Sequence, residues 1–376
     1  MHSIKTATVT LHAAHNYGSM LQAYALQKAL MSLGVDNRIV NFRSSAQKSF
    51  YSDPFKSALS NVRSFVAFAV QLPICIGLHR KYILFEEFLS NHLILTDECS
   101  TMEGVESMCS GADAVIVGSD QVWNTHILDG NDVFFLPFSA KRKISYAASM
   151  GPSPDVEVTK DKYQFISDSL RDFDAISVRE RGTFDKVKEI CGLEPEILVD
   201  PTMLLEPGDW QALIDSSNKV ISNGNSVFWY TPWFYDEHYA IARSVADYLS
   251  CDLTASHRCS LKTLIKFPRI KYQLASGPCE FLSQIYNAKL VISGSFHAVV
   301  FSILFHKPFY AIDGDKDSRI SNLLEKIGME DRAIHKTDIA DKFKHWDDLD
   351  FSTADAVIEK ERIAGIDFLK KNIGLI

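Results

Sequence analysis

Short apolar runs ending in polar clusters alternate along this chain with stretches whose apolar residues recur at helical spacing. Lys5 to Leu11 reads as a strand rich in β-branched residues that ends at His12-Ala13-Ala14-His15. From Met20 to Leu33, Leu21, Tyr24, Ala25, Leu26 and Leu30 keep helical spacing, Gly34 supplies the stop, and Asn37 to Phe42 is a second strand. This is the start of a βαβ series. The same rhythm is densest at Lys289 to His306, where an apolar strand meets Ser293-Gly294-Ser295 and becomes an almost wholly apolar helix carrying His297 in its first turn. Such a turn lies at the carboxyl end of a strand, where parallel α/β proteins bind ligands, and first-turn N–H groups favour an anion. The plain alternative is a glycine turn and a helix cap.

Between these two stretches, Ala114 to Asn124 delivers Gly118-Ser119-Asp120-Gln121 and then Trp123-Asn124 just beyond a buried strand. Polar groups so placed are costly without hydrogen-bond partners, so they point to a polar ligand or to a shaped turn. Further strands are expected at Ile144 to Ala148, Ala175 to Val178 and Glu196 to Val199, with helices near Lys160 to Leu170 and up to Ile190. Each strand ends in polar residues: Ser149, Arg179-Glu180-Arg181 and Asp200-Pro201-Thr202. Arg179 is suited either to clamp an anion or to pair with a neighbouring acid. At the first turn, Asn16, Gly18 and Ser19 offer N–H groups and a hydroxyl to a phosphate or carboxylate, with Ser19 as a plain N-cap the other reading.

These elements predict an α/β chain of two domains. Residues 1–203 form an N-terminal Rossmann-like domain with a helical insertion at about 44–98, because that stretch breaks the alternation with polar linker and an aromatic-rich helix around Tyr82 to Leu89. Pro207-Gly208-Asp209-Trp210 opens a fresh series, so residues 204–350 form a second Rossmann-like domain. Its units are the strand Ser226 to Tyr230, helices Glu237 to Leu249 and Cys279 to Tyr286, the central strand and helix, the strand Pro308 to Ile312 and the helix Ser318 to Ile327. A last helix within 351–376 carries Ile358, Ile363, Ile366 and Leu369 and is expected to pack back across the domains.

Composition narrows the partners. The 376 residues are 46% hydrophobic and 23% charged, with a formal net charge of -8 and no basic block, which excludes nucleic acid as a general partner. Seven scattered cysteines without a CxxC pair read as reduced thiols, with neither a disulfide framework nor a zinc site. Met1 to Thr6 lacks the basic and apolar regions of a signal peptide, and a cytoplasmic location is expected. The apolar segment 65–78, flanked by Arg63 and by His79-Arg80-Lys81 and containing Pro73, is too short to span a bilayer. It reads as a buried or partner-covered helix, with peripheral contact at the inner face of the membrane as the alternative.

Taken together, Asn16 to Gln27, Gly118 to Asn124, Tyr146 to Ser149, Ser177 to Glu180, Asp200 to Thr202, and Ser293 to Phe301 with Lys307-Pro308-Phe309 resemble the polysaccharide pyruvyl transferase family over nearly the whole chain. The resemblance implies two Rossmann-like domains facing a cleft, as in GT-B enzymes. It also implies phosphoenolpyruvate as co-substrate, and a hexose hydroxyl pair in a cell-surface polysaccharide or lipid-linked precursor as acceptor. Ketal formation from an enol ester needs an acid, a base and anion clamps, and it demands no metal and no further cofactor. His297 is the first candidate for acid/base work, and Asp120 is a candidate base. Arg179, Arg319, Ser293, Ser295 and His297 are the candidate donor-binding residues. Asn16, Gly18, Ser19, Asp120, Gln121 and Asn124 are the candidate acceptor-binding residues, on the N-terminal side.

One position departs from the family pattern: an Arg commonly precedes the histidine by two residues, and here Ser295 stands there. Arg319 is the substitute that the following strand offers, unless it pairs with Asp315 or Asp317. Two other functions suit the same elements. One is a GT-B glycosyltransferase using a nucleotide sugar, and the other is a non-catalytic scaffold in glycan assembly.

Overall fold

A computed structural model describes residues 3–55, 65–152, 160–217, 224–232, 235–257, 260–335 and 343–376, with the backbone alone for residues 65–71, 261 and 344. Seven strands form the first sheet: β1 (Lys5–Val9), β2 (Asp36–Phe42), β3 (Leu95–Cys99), β4 (Ala114–Val117), β5 (Lys143–Ala148), β6 (Ala175–Val178) and β7 (Glu196–Ile197). Their order is β3-β2-β1-β4-β5-β6-β7, and every pair is parallel. A second sheet holds β8 (Ser226–Tyr230), β9 (Asp252–Ala255), β10 (Lys271–Tyr272), β11 (Leu290–Ser293), β12 (Phe309–Ile312) and β13 (Ala333–Ile334) in the order β10-β9-β8-β11-β12-β13, again all parallel. Both are doubly wound. The central strands are buried along their whole length, as β4 and β11 show, and this is why their sequences read as continuous apolar runs.

The chain divides into two compact units, one of residues 1–51, 89–205 and 357–376 and the other of residues 52–88 and 206–356. The change between series therefore falls at 205/206 rather than 203/204. The stretch 44–98 is not one insertion on the first domain: β3 completes the first sheet, while residues 52–88 group with the second unit. Packing explains the grouping. A methyl group on Gly77 would lie 2.6 Å from Leu274 Cβ, Gly277 sits against Leu84, and Lys81 Nζ donates to Ser256 O at 3.2 Å. The helix Phe65–His92 runs through an exposed Pro73, and its side chains at 65–71, half of the apolar segment, lie outside the described residues. No helix among the described residues is long and apolar enough to cross a membrane.

In the last helix, Ser352–Ile373, the residues up to 356 belong to the second unit, where Asp355 meets His306 at 2.8 Å. From 357 onward the helix belongs to the first unit: Arg362 Nε donates to Met203 O at 3.1 Å, and Phe368 packs edge-on to Tyr146. Six described cysteines, Cys75, Cys99, Cys109, Cys191, Cys251 and Cys279, are free thiols.

Candidate functional site

Strand order reverses between β1 and β4 in the first sheet and between β8 and β11 in the second. Connections leave for opposite faces at such a point, so the carboxyl ends of those strands open a crevice where doubly wound sheets bind ligands. Both polar motifs singled out in the sequence stand there. Gly118 follows β4 because a side chain would collide: a Cβ would lie 2.7 Å from both Cβ and Oγ1 of Thr10, which follows β1. Thr10 Oγ1 then donates to Ser119 O at 3.2 Å, locking the two strand ends together.

Asp120 is the next residue and takes a left-handed backbone (φ +69°), which aspartate tolerates better than most side chains. Its carbonyl accepts the N–H groups of Val122 at 2.8 Å and Ser149 at 3.0 Å. Its carboxylate accepts the hydroxyl of Ser19 at 2.5 Å. The helix Tyr17–Ser32 begins three residues before the apolar spacing suggests, since Asn16 is its N-cap and takes the Gly18 and Ser19 N–H groups at 2.9 and 3.4 Å. Those two N–H groups were expected to cradle an anion, and Asn16 satisfies them instead. Ser19 is no cap either; its hydroxyl is turned to Asp120.

Arg179 was expected at the donor. Its guanidinium is 3% exposed and faces inward to Asp200 Oδ2 at 2.8 Å, Glu180 Oε2 at 3.3 Å and Asp120 Oδ1 at 3.9 Å. Burial works against its charge, but Glu180, Asp200 and Asp120 outweigh it and hold the guanidinium above its ordinary range. The other end of the motif is a side-chain pair: Gln121 Oε1 accepts from Asn124 Nδ2 at 2.8 Å. A Cβ on Gly151, itself at φ +96°, would strike both, so this glycine lets the turn approach them. Trp123 is core, with Nε1 donating to Phe134 O at 2.9 Å and its ring stacked on Phe135.

In the second unit Gly294 is held between Ile312 O and Thr231 Cγ2, each 3.5 Å from where its Cβ would be. Ser293 Oγ donates to Tyr230 O and accepts from the Ser295 N–H, the latter at 3.0 Å, which fixes the turn. Ser295 is the N-cap residue of the helix Phe296–Leu304 but makes no side-chain capping bond. The first turn of that helix presents N–H groups of the kind that attract an anion. His297 is buried in this first turn, edge-on to Phe296. Arg319 reaches the same place: its guanidinium lies 6.0 Å from the Phe296 ring centre while Nε and Nη2 pair with both oxygens of Asp317, at 2.9 and 2.5 Å. Of the five donor candidates, Ser293, Ser295, His297 and Arg319 share this unit, and Arg179 belongs to the other.

His257, Asp313, Lys316, His335 and His238, all at this edge, escaped the sequence reading. His257, just past β9, is buried and accepts the Thr231 N–H on Nε2 at 2.8 Å; burial and the nearby Lys81 push its pKa down to about 3. Asp313, directly after β12 and left-handed at φ +52°, takes Lys316 Nζ at 2.8 Å, His335 Nδ1 at 2.9 Å and His238 Nε2 at 3.1 Å. Partial burial opposes its ionisation, yet these three donors bring its pKa to about 2. The available signal was position: each follows a strand, or in the case of His238 lies in the helix after one. Among the described residues no three His, Cys, Asp or Glu side chains are grouped to hold a metal ion.

Solved structures similar over almost the whole chain include nucleotide-sugar proteins of the GT-B fold. The UDP-GlcNAc 2-epimerase from Neisseria meningitidis bound to UDP-GlcNAc is 8% identical, with 99% of this chain and 100% of that chain covered and a TM-score of 0.52. S. aureus MnaA with UDP is 11% identical, covering 99% and 98%, at 0.53. An α-glucosyltransferase in complex with UDP and DNA is 11% identical, covering 99% and 96%, at 0.52. Likeness at such identities establishes the fold class, GT-B, and nothing about substrate. No curated protein sequence matches the chain. The family model described as polysaccharide pyruvyl transferase matches residues 16–316, which takes in the Asn16 cap, the Asp120 turn, the Arg179 network and the His297 turn. The chain therefore belongs to the polysaccharide pyruvyl transferase family, a family of transferases.

Proposed function

We propose that this protein moves the pyruvyl group of phosphoenolpyruvate onto two hydroxyls of one hexose, in a cell-surface polysaccharide or its lipid-linked precursor, on the cytoplasmic side of the membrane. The observation that carries this reading is the coincidence of the family match with two built switch points, one holding Asp120 and the other His297. In the reaction the methylene carbon gains a proton, one acceptor oxygen attacks the adjacent carbon, the phosphate leaves, and the second hydroxyl closes the ketal. His297 is the proposed acid toward the methylene carbon. Asp120 is the proposed base for the acceptor hydroxyl, with Ser19, Gln121 and Asn124 orienting the sugar. Ser293, Ser295, the first-turn N–H groups and Arg319 hold the anionic donor.

The test is inorganic phosphate release from phosphoenolpyruvate with a panel of nitrophenyl hexosides, the product followed by the mass gain of one pyruvyl ketal. Thermal unfolding with phosphoenolpyruvate or with UDP-sugars separates the second reading, a nucleotide-sugar glycosyltransferase, which the UDP-bound fold relatives favour. A midpoint raised by phosphoenolpyruvate together with ketal formation supports pyruvyl transfer. A midpoint raised by a UDP-sugar alone, with no phosphate released from phosphoenolpyruvate, overturns it.

A further inference from the structure

Arg179 is placed by the backbone before its side chain acts. Its N–H donates to Ala148 O at 3.1 Å, and Ala148 is the residue that pairs with Asp120, so the carboxyl ends of β4, β5 and β6 are in register where the two side chains meet. Each carboxylate that holds the guanidinium is itself fixed. Asp200 accepts from Thr202 Oγ1 at 2.8 Å, the Thr202 N–H at 3.0 Å and Ser119 Oγ at 3.2 Å. Glu180 accepts from Ser149 Oγ at 2.7 Å and from Thr183 Oγ1. The guanidinium thus has one position, 3% exposed, with Nη2 3.9 Å from Asp120 Oδ1. At that separation it attracts the carboxylate without occupying a lone pair. Among the described residues Asp120 Oδ2 carries the Ser19 hydroxyl, and no hydrogen-bond donor sits on Oδ1.

We propose that Arg179 is a positioning residue for Asp120: fixed by Asp200 and Glu180, its charge holds the Asp120 carboxylate in place, with Oδ1 left for an acceptor hydroxyl. This rests on the reading of Asp120 as the base. The buried guanidinium faces its own carboxylates and does not clamp the donor. Among the described residues the charged groups around Asp120 are Arg179, with Glu180 and Asp200 behind it, and Asp129 in the following loop, whose carboxyl burial pushes up and whose like charge Asp120 opposes. Among these described groups Arg179 is the cation, so its removal takes away the attraction that holds the Asp120 carboxylate.

The experiment follows the side-chain carboxyl of Asp120 by carbon-13 NMR in protein labelled at aspartate carboxyls, its signal assigned by its absence from Asp120→Asn. In Arg179→Gln the titration midpoint rises by about 1–3 pH units, the usual effect of losing an opposite charge within 4–6 Å. Arg179→Lys gives a smaller rise, since one ammonium cannot serve both Asp200 and Asp120. If the Gln variant does not fold, the Lys variant carries the test alone, and a midpoint equal to wild type overturns the proposal. In phosphate release, Arg179→Lys lowers kcat and leaves KM for phosphoenolpyruvate unchanged. A raised KM with an unmoved midpoint returns Arg179 to the donor. The underlying reading fails separately: full phosphate release by Asp120→Asn removes Asp120 as base whatever the midpoints, whereas an inactive Asp120→Asn with coincident midpoints sinks only the positioning role.

Discussion

Ser19 Oγ, in the first turn of the helix Tyr17–Ser32, donates to Asp120 Oδ2 at 2.5 Å across a sequence separation of 101 residues. The bond ties the helix that starts the first crevice to the loop that closes it. A hydrogen bond to a buried carboxylate contributes about 1.5–3 kcal/mol. Ser19→Ala is therefore expected to lower the unfolding free energy by that amount in denaturant titration, and to cut phosphate release roughly tenfold or more because Asp120 loses its aim. A variant of unchanged stability and unchanged turnover would detach Ser19 from both roles.

Gly118→Ala tests the closeness of the two strand ends. The new Cβ would sit 2.7 Å from Thr10 Cβ and Oγ1, so one strand end must move and the Thr10 to Ser119 bond with it. Overpacking of this kind costs about 1–3 kcal/mol. A double-mutant cycle with Thr10→Gly should return part of that loss as a coupling energy, and purely additive effects would place the strain elsewhere.

Both doubly wound sheets and most strand and helix positions were legible because central strands of parallel sheets are apolar throughout, as Ala114-Val115-Ile116-Val117 and Leu290-Val291-Ile292 are. Four strands at or near the edges, β3, β9, β10 and β13, were not. β3 is Leu95-Thr96-Asp97-Glu98-Cys99, half-exposed and polar, and β10 and β13 have two residues each. Missing β3 turned 44–98 into an insertion, and missing β9 hid His257. At the sites, chain position located Asp120, Arg179 and His297 at strand ends. Sequence could not say which way a side chain faces, so clamp and acid pairing both stayed open for Arg179, which three carboxylates surround. The pairing of Arg319 with Asp317 was likewise among the readings open from sequence.

His257 makes stability depend on pH. Its pKa is about 3 in the fold against 6.5 for the free side chain, so the neutral ring that accepts the Thr231 N–H is favoured. The stability it carries is fully present above about pH 6.5 and is lost as pH falls toward 3. Between pH 7 and pH 5 this one site should remove about 2 kcal/mol from the unfolding free energy. His257→Gln keeps an acceptor for Thr231 without the titration, so its denaturation midpoint should fall less over the same range. Parallel declines in the two proteins would exclude His257 as the source.

His297→Gln keeps a hydrogen-bonding side chain at the first turn and removes the titrating ring. If His297 protonates the methylene carbon, phosphate release should fall by about 10²–10⁴-fold. The phosphoenolpyruvate-induced rise in the thermal midpoint should persist, since the helix N–H groups that attract the anion are unchanged. Loss of the thermal rise with turnover per bound donor intact would make His297 a binding residue instead.

Asp317 restrains the arginine proposed for the donor, and the restraint can be lifted without losing the helix. Asp317 is the N-cap of Ser318–Ile327, accepting the Arg319 N–H at 3.0 Å, and it also takes both ends of the Arg319 fork. Asn caps as well as Asp but carries no charge, so Asp317→Asn preserves the helix start and loosens the guanidinium. An anionic donor then competes with an amide rather than a carboxylate. The phosphoenolpyruvate-induced rise in midpoint should grow in Asp317→Asn and shrink or vanish in Arg319→Ala, where a charge-assisted contact worth roughly 10- to 100-fold in affinity is gone. Equal rises in wild type and both variants would mean that Arg319 serves only its own helix, leaving the donor to Ser293, Ser295 and the first-turn N–H groups.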